Sequence, residues 1–130
     1  MFDRLDVFKM SYAMAVHAGH RQAVVAQNVA NADTPGYQAR DVASFSDSFR
    51  STALSAGQVQ KATRPGHLNG ASSAVPASAT VDRDAEASPN GNTVSLEMEM
   101  LKSIDAKRSH DRALAIYKSS LNILRLNLAR

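Results

Sequence analysis

Two histidines three residues apart, His17 and His20, first raise the question of chemistry in this chain. At helical spacing they share a face, and such a pair can hold zinc. A zinc site needs three or four ligands with supporting hydrogen bonds, and no cysteine or suitably spaced acid stands nearby. Surface histidines are therefore the expected reading. Ser109-His110-Asp111 contains the residue types of a hydrolytic triad. Consecutive helical residues point about 100° apart, whereas a triad requires convergence in space. Glu97 and Glu99, two apart, cannot face one another on a helix, and they read as solvated charges. The glycines form no phosphate-cradling loop. Met10, Met14, Met98 and Met100 read as flexible core filler. The patterns predict no catalytic residue, no metal site and no cofactor.

Whatever the chain does must then come from the elements themselves. Its 130 residues make one domain's worth of polypeptide, 44% hydrophobic, with 5% aromatic residues and no Trp. Much of the apolar fraction is Ala, which adds little where burial is worth roughly 25 cal/mol per Å². The large apolar residues cluster at the two ends. These features predict an elongated, mainly all-α protein completed by partners, not a compact enzyme. The net charge is +3, with Lys and Arg interleaved with Asp and Glu. That is a solvated surface more than a nucleic-acid footprint. Cysteine is absent, which excludes disulfides and thiolate metal sites without naming a compartment. The start, MFDRLDVFKM, has no apolar core or cleavage pattern and argues against a cleaved secretory signal. No run approaches the roughly 20 apolar residues that span a bilayer.

Residues 1–33 read as a first long helix. Leu5, Phe8, Tyr12, Ala15, Gly19, Ala23, Ala26 and Ala30 recur at three- and four-residue steps, giving one stripe, widened by Met14, Val25 and Val29, whose second half is small enough for a close helix approach. The helix must stop within NVANADTPGYQARD. Asn and Asp suit a helix end. Thr34 is forced from the helical region by Pro35, and Pro35-Gly36 fits the centre of a type II turn. Asn28 and Asn31 share one face. Their amides could satisfy the carbonyls of the helix end or bond a neighbouring chain. Tyr37, after the turn, is expected to pack over the helix end.

Residues 34–92 form the turn, a short amphipathic helix over about 44–55 marked by Phe45, Phe49 and Leu54, and an irregular arm. The arm, 57–92, is rich in Ala, Ser, Gly and Pro and cannot offset its own ordering entropy. A brief strand pair is its most regular expected feature. Residues 93–130 read as a second long helix, with Asn92 or Thr93 as N-cap. Leu114, Tyr117, Leu121, Leu124 and Leu128 step three, four, three, four, as in a heptad seam. Met98, Leu101 and Ile104 form an earlier stripe out of phase with it, across a polar band at 106–112. Ile116, Ile123 and Leu126 lie off the seam, so the C-terminal third is apolar on more than one face. One partner helix would not cover it.

The segment NVANADTPGYQARD resembles the amino-terminal signature of the flagellar rod, hook and hook-filament junction proteins, in which an Asn-rich helix end is followed by T-P-G-Y or T-T-G-F. Asn28, Asn31, Thr34, Pro35, Gly36 and Tyr37 carry the match. GNTVSLEMEML, through Val94, Leu96 and Met100, resembles one type of proximal rod protein. The sibling proximal type has G-Y-V before P-N-V-N where this chain reads SPNGNTV. The resemblance implies an antiparallel hairpin of N- and C-terminal helices, packed side by side with others into a tube. It implies export, unfolded, through the flagellar type III apparatus to the periplasmic rod. The implied partners are copies of itself, other rod proteins and, at the rod base, the FliE adaptor, the export gate or the MS ring. A coiled-coil adaptor or another type III substrate is the alternative.

Overall fold

The computed structural model describes residues 2–56, 78–82 and 85–128, the side chains of 2–5 and 51–56 excepted. Helix α1 spans Phe2–Ala30, strand β1 Arg40–Asp41, helix α2 Phe45–Ala56, strand β2 Thr80–Val81 and helix α3 Leu96–Leu128. The two long helices pack against each other as an antiparallel hairpin. Phe8 meets Tyr117 edge to face at 5.2 Å, Gln22 donates to Ser103 at 2.9 Å, and Asn28 reaches Glu99 at 3.0 Å. Most of the arm, 57–77, lies outside the described residues.

The buried line between the helices runs along one edge of the expected stripe on α1, through Met14 and Val25, and not along its centre. On α1 it follows Ser11, Ala18, Val25 and Asn28, all buried, with Met14, Arg21 and Ala32 half-buried between and after them. Those positions alternate steps of three and four, a heptad pattern written in small and polar side chains. On α3 it follows Glu99, Ala106 and Ala113, with Ser103, His110, Ser120 and Leu124 half-buried in the same phase. Gly19, Ala23, Ala26 and Ala30 instead face outward. The polar band does not interrupt packing, because Ala106 and Ala113, 2% and 1% exposed, carry the seam through it.

The inversion has an energetic reason. A methyl group buried at Ala18, Ala106 or Ala113 is worth about 0.8 kcal/mol, against roughly 1.5–3 kcal/mol for a buried Leu or Phe. What the small residues provide is closeness of the backbones. Large apolar side chains are left outside: Tyr12, Met98, Met100, Leu101, Ile104, Leu126 and Leu128 are all exposed.

Helix α2 forms close to the expected 44–55 and starts from a cap at Ser44. Ser44 accepts from the Asp47 backbone N–H at 3.3 Å and donates to the Asp47 carboxylate at 2.6 Å, satisfying the open first turn. His17, expected on the surface, is half-buried and holds this helix to α1. Its Nε2 lies 2.9 Å from the Ala43 carbonyl, and its ring meets Phe45 edge-on at 5.6 Å. Strand β1 pairs antiparallel with β2, Arg40 opposite Val81 and Asp41 opposite Thr80. The Asp82 N–H donates to the Ala39 carbonyl at 2.9 Å, extending the ladder.

Candidate functional site

Helix α1 ends by tightening. The N–H groups of Asn31 and Ala32 donate to the carbonyls of Asn28 and Val29 at 3.0 and 3.2 Å, a three-residue spacing typical of a closing turn. The turn that follows is closed by Tyr37 N–H to the Thr34 carbonyl at 3.3 Å, with Gly36 at φ 72°. Pro35 ahead of a positive-φ glycine is the type II turn the sequence predicts. A second turn, Ser88 to Gly91, lies against it. Gly91 N–H donates to the Ser88 carbonyl at 2.8 Å, and Gly36 N–H donates to the Asn90 carbonyl at 3.1 Å. Gly91 is also left-handed, and a Cβ there would lie 3.5 Å from the Gly36 Cα.

Asn92 locks the two turns to the hairpin. Its side chain is fully enclosed, and its Nδ2 donates to the carbonyls of Asn31, Ala32 and Thr34 at 2.9, 2.7 and 2.8 Å. Its Oδ1 accepts the Val94 N–H at 2.7 Å. These carbonyls lie just past the end of α1, where the chain leaves the helix, and a residue about sixty positions away gives them a donor. Asn92 thus serves the turn that closes α1. The N-cap position of α3 falls to Ser95, just before Leu96.

Asn28 is the second lock. It is 0% exposed and fills its full hydrogen-bonding capacity of two donors and two acceptor positions. Nδ2 donates to the Arg40 carbonyl at 2.7 Å and to Glu99 Oε2 at 3.0 Å. Oδ1 accepts from the Tyr37 hydroxyl at 3.3 Å and the Arg40 N–H at 3.1 Å. One amide therefore joins α1, the exit from the turn and α3. Asn31 works locally, donating to the Gln27 carbonyl at 2.8 Å and accepting from Thr34 Oγ1 at 3.3 Å. Thr93 fixes the extended exit strand, since Ala39 N–H donates to its Oγ1 at 2.8 Å.

Beside Asn28 lies a set of five charged groups. The Lys102 ammonium is within 3.1 Å of Asp82, 3.2 Å of Glu99 and 3.3 Å of Asp41, one carboxylate for each of its three N–H donors. Arg21 adds a two-pronged contact to Asp41 at 3.2 and 3.3 Å. Glu99, read as solvated from sequence, is buried at 2%. It faces α1, and Lys102 and Asn28 together satisfy its two oxygens. Three carboxylates meet two cations, and the Asn28 amide serves the surplus charge. Burial opposes ionisation of Asp41 most strongly, but Arg21, the Val42 N–H and Lys102 outweigh it and hold its pKa below the usual value. Burial likewise opposes charge on Lys102, yet Asp82, Asp41 and Glu99 raise its pKa.

The arrangement is a junction that fixes angles. Each titratable group in it is committed to a neighbour by charge, and the groups come from α1, β1, the end of β2 and α3. Ser109, His110 and Asp111 do not converge as a triad; His110 and Asp111 approach only to 4.0 Å. Among the described residues no three His, Asp or Glu side chains gather as a metal site, and no helix is long and apolar enough to cross a membrane. Of the residues singled out for packing or assembly, Phe8 and Tyr117 meet across the hairpin, and Leu121 and Leu124 are half-buried. Tyr12, Leu101, Ile104, Leu114 and Leu128 point outward. The side chain of Leu5 lies outside the described residues. Sequence reasoning missed Arg21, Asp41, Glu99 and Lys102, and gave Asn92 a different role. A signal existed for Glu99: it continues the seven-residue spacing of Ala106, Ala113 and Ser120, where a polar group must find a partner.

Residues 18–38, which include Asn28 and the whole turn, match the family described as Flagella basal body rod protein. The chain is 29% identical over 129 residues to the flagellar basal body rod protein FlgB of Agrobacterium fabrum, across 97% of this chain and 95% of that one. It is 32% identical over 127 residues to FlgB of Salmonella typhimurium, across 93% and 92%. With FlgB of Escherichia coli it shares 51% identity over 43 residues, 32% of this chain and 31% of that one.

Proposed function

This chain belongs to the FlgB family of flagellar basal body rod proteins, and from that membership we propose that it is a structural subunit of the proximal rod. It assembles with copies of itself and with other rod proteins through its terminal helices, without catalysing a reaction. The observation that carries this reading is the inverted hairpin. Small residues such as Ala18, Ala106 and Ala113 are buried in the seam, while Met98, Met100, Leu101, Ile104, Leu126 and Leu128 of α3 stay exposed. Exposed apolar patches of this kind mark interaction surfaces, and here they run along the helix that a tube would pack against its neighbours. The junction of Asn28, Asn92 and Lys102 serves the same end by directing the arm out of the hairpin at a fixed angle. The protein works in the flagellar basal body, reached by type III export to the periplasmic rod. Its partners at the rod base are the FliE adaptor, the export gate or the MS ring. The full-length match to FlgB relatives disfavours both the sibling proximal type and a coiled-coil adaptor.

The test is a double substitution on the outer face, Leu101→Asp with Ile104→Asp. The parent residues are 58% and 49% exposed, so the hairpin itself should keep its stability within about 0.5 kcal/mol. Incorporation into basal bodies should be lost while the protein accumulates. Normal rods from that variant would refute the assembly role of this face.

A further inference from the structure

Asn90-Gly91 is a pair that the assembly function does not use, and its chemistry is distinctive. Glycine lacks a side chain to shield its amide nitrogen, so that nitrogen can attack the side-chain carbonyl of the preceding Asn. The Gly91 nitrogen, having lost its proton to base, forms a bond to Asn90 Cγ. The Cγ–Nδ2 bond breaks and ammonia leaves. The resulting five-membered succinimide is hydrolysed by water at one of its two carbonyls, giving aspartate or, with the backbone rerouted through the side chain, isoaspartate. No redox partner is needed.

We propose that Asn90 is a spontaneous deamidation site whose reaction is held back by the folded turn and released when the turn opens. Asn90 is exposed, so water and base reach it. Three contacts restrain it. Gly91 N–H, the nitrogen that must be deprotonated, is committed to the Ser88 carbonyl at 2.8 Å. Asn90 Oδ1 is held by the Asn92 N–H at 3.0 Å, which fixes the side chain. The Asn90 carbonyl is held by Gly36 N–H at 3.1 Å. Attack requires the side chain and the Gly91 nitrogen to rotate together, and these bonds must break first. The product matters to the junction: isoaspartate lengthens the backbone within the second turn by one carbon, which pulls the Asn90 carbonyl off Gly36 and shifts Asn92 from the carbonyls that follow α1. Deamidation thus acts as a one-way release of the arm from the hairpin.

The test uses the full chain, incubated at mildly alkaline pH in native buffer and in denaturant, with aspartate and isoaspartate at each Asn quantified by peptide mass mapping. Asn69-Gly70, the second Asn-Gly pair in the sequence, gives the benchmark rate in denaturant. Asn90 should match that benchmark in denaturant and react roughly tenfold or more slowly in native buffer, the ratio reporting how seldom the turn opens. An Asn92→Ala chain, which loses the lock on the turn but keeps the Asn-Gly pair, should bring the native rate toward the denatured one. Equal rates at Asn90 in native buffer and denaturant would overturn the proposal. So would an Asn92→Ala chain, folded by circular dichroism, whose Asn90 stays as protected as in the parent.

Discussion

Replacing Asn92 by Ala removes a side chain that makes contacts with four backbone groups while occupying almost no surface. Nδ2 has two protons for three carbonyls, so its share amounts to two full hydrogen bonds, and Oδ1 adds one from Val94. At a net of about 0.5–1.5 kcal/mol each, three bonds give about 2–4 kcal/mol. The Ala32 carbonyl and the Val94 N–H would lose an enclosed partner, which keeps the cost toward the upper half of that range. The assay is urea unfolding followed by helical circular dichroism, with the parent chain alongside. Asn92→Asp makes the reasoning sharper. It retains an oxygen for the Val94 N–H but turns the donor into a second oxygen facing three carbonyls, so it should be worse than Asn92→Ala. An Asn92→Ala chain within about 0.5 kcal/mol of the parent, or an Asn92→Asp chain more stable than Asn92→Ala, would refute the claim that this amide ties the turn to α1.

Lys102→Met leaves three carboxylates facing one cation and should cost about 2–3 kcal/mol, below the 3–5 kcal/mol for a fully buried broken pair because the site is partly solvated. The pH profile of the parent follows from the same network. Asp41, its pKa lowered from 3.8, adds stability that is present above that value and lost as pH falls through the folded pKa. Lys102, its pKa raised from 10.5, adds stability that is complete below that value and lost as pH rises through the folded pKa. Urea midpoints should therefore fall on the acid side through Asp41 and on the alkaline side through Lys102, and an unchanged alkaline limb in Lys102→Met would contradict the assignment. Ala113→Leu inserts a large side chain at a seam position only 1% exposed and should destabilise by about 1–3 kcal/mol; a stabilised variant by thermal unfolding would mean the seam has room. Gly36→Ala strains a φ of 72° and should cost about 1 kcal/mol, measured by the same unfolding curves.

Local chemistry was readable from the residues alone. Thr34-Pro35-Gly36-Tyr37 dictates its own turn, because Pro and Gly restrict φ whatever surrounds them. Ser44 and Asp47 begin α2 through groups three residues apart, and two long helices follow from uninterrupted helical residues at either end of the chain. The strand pair expected within the arm instead joins the arm, at Thr80–Val81, to the exit from the turn, at Arg40–Asp41. Tertiary structure alone decided which face of each helix turns inward. Hydrophobic spacing reports a stripe's angle on its own helix, but it cannot tell a seam that closes one chain from a face left for other chains. Here the two diverge, since backbone closeness favours Ala18, Ala106 and Ala113 inside and leaves Leu101 and Ile104 outside. Glu99 looked solvated because its partners, Asn28 and Lys102, include one seventy-one positions away, and Asn92 looked like a cap for the helix after it because the carbonyls it serves belong to the turn that follows the helix before. A polar side chain's role depends on what burial brings to it, and that is set by how the whole chain folds back on itself.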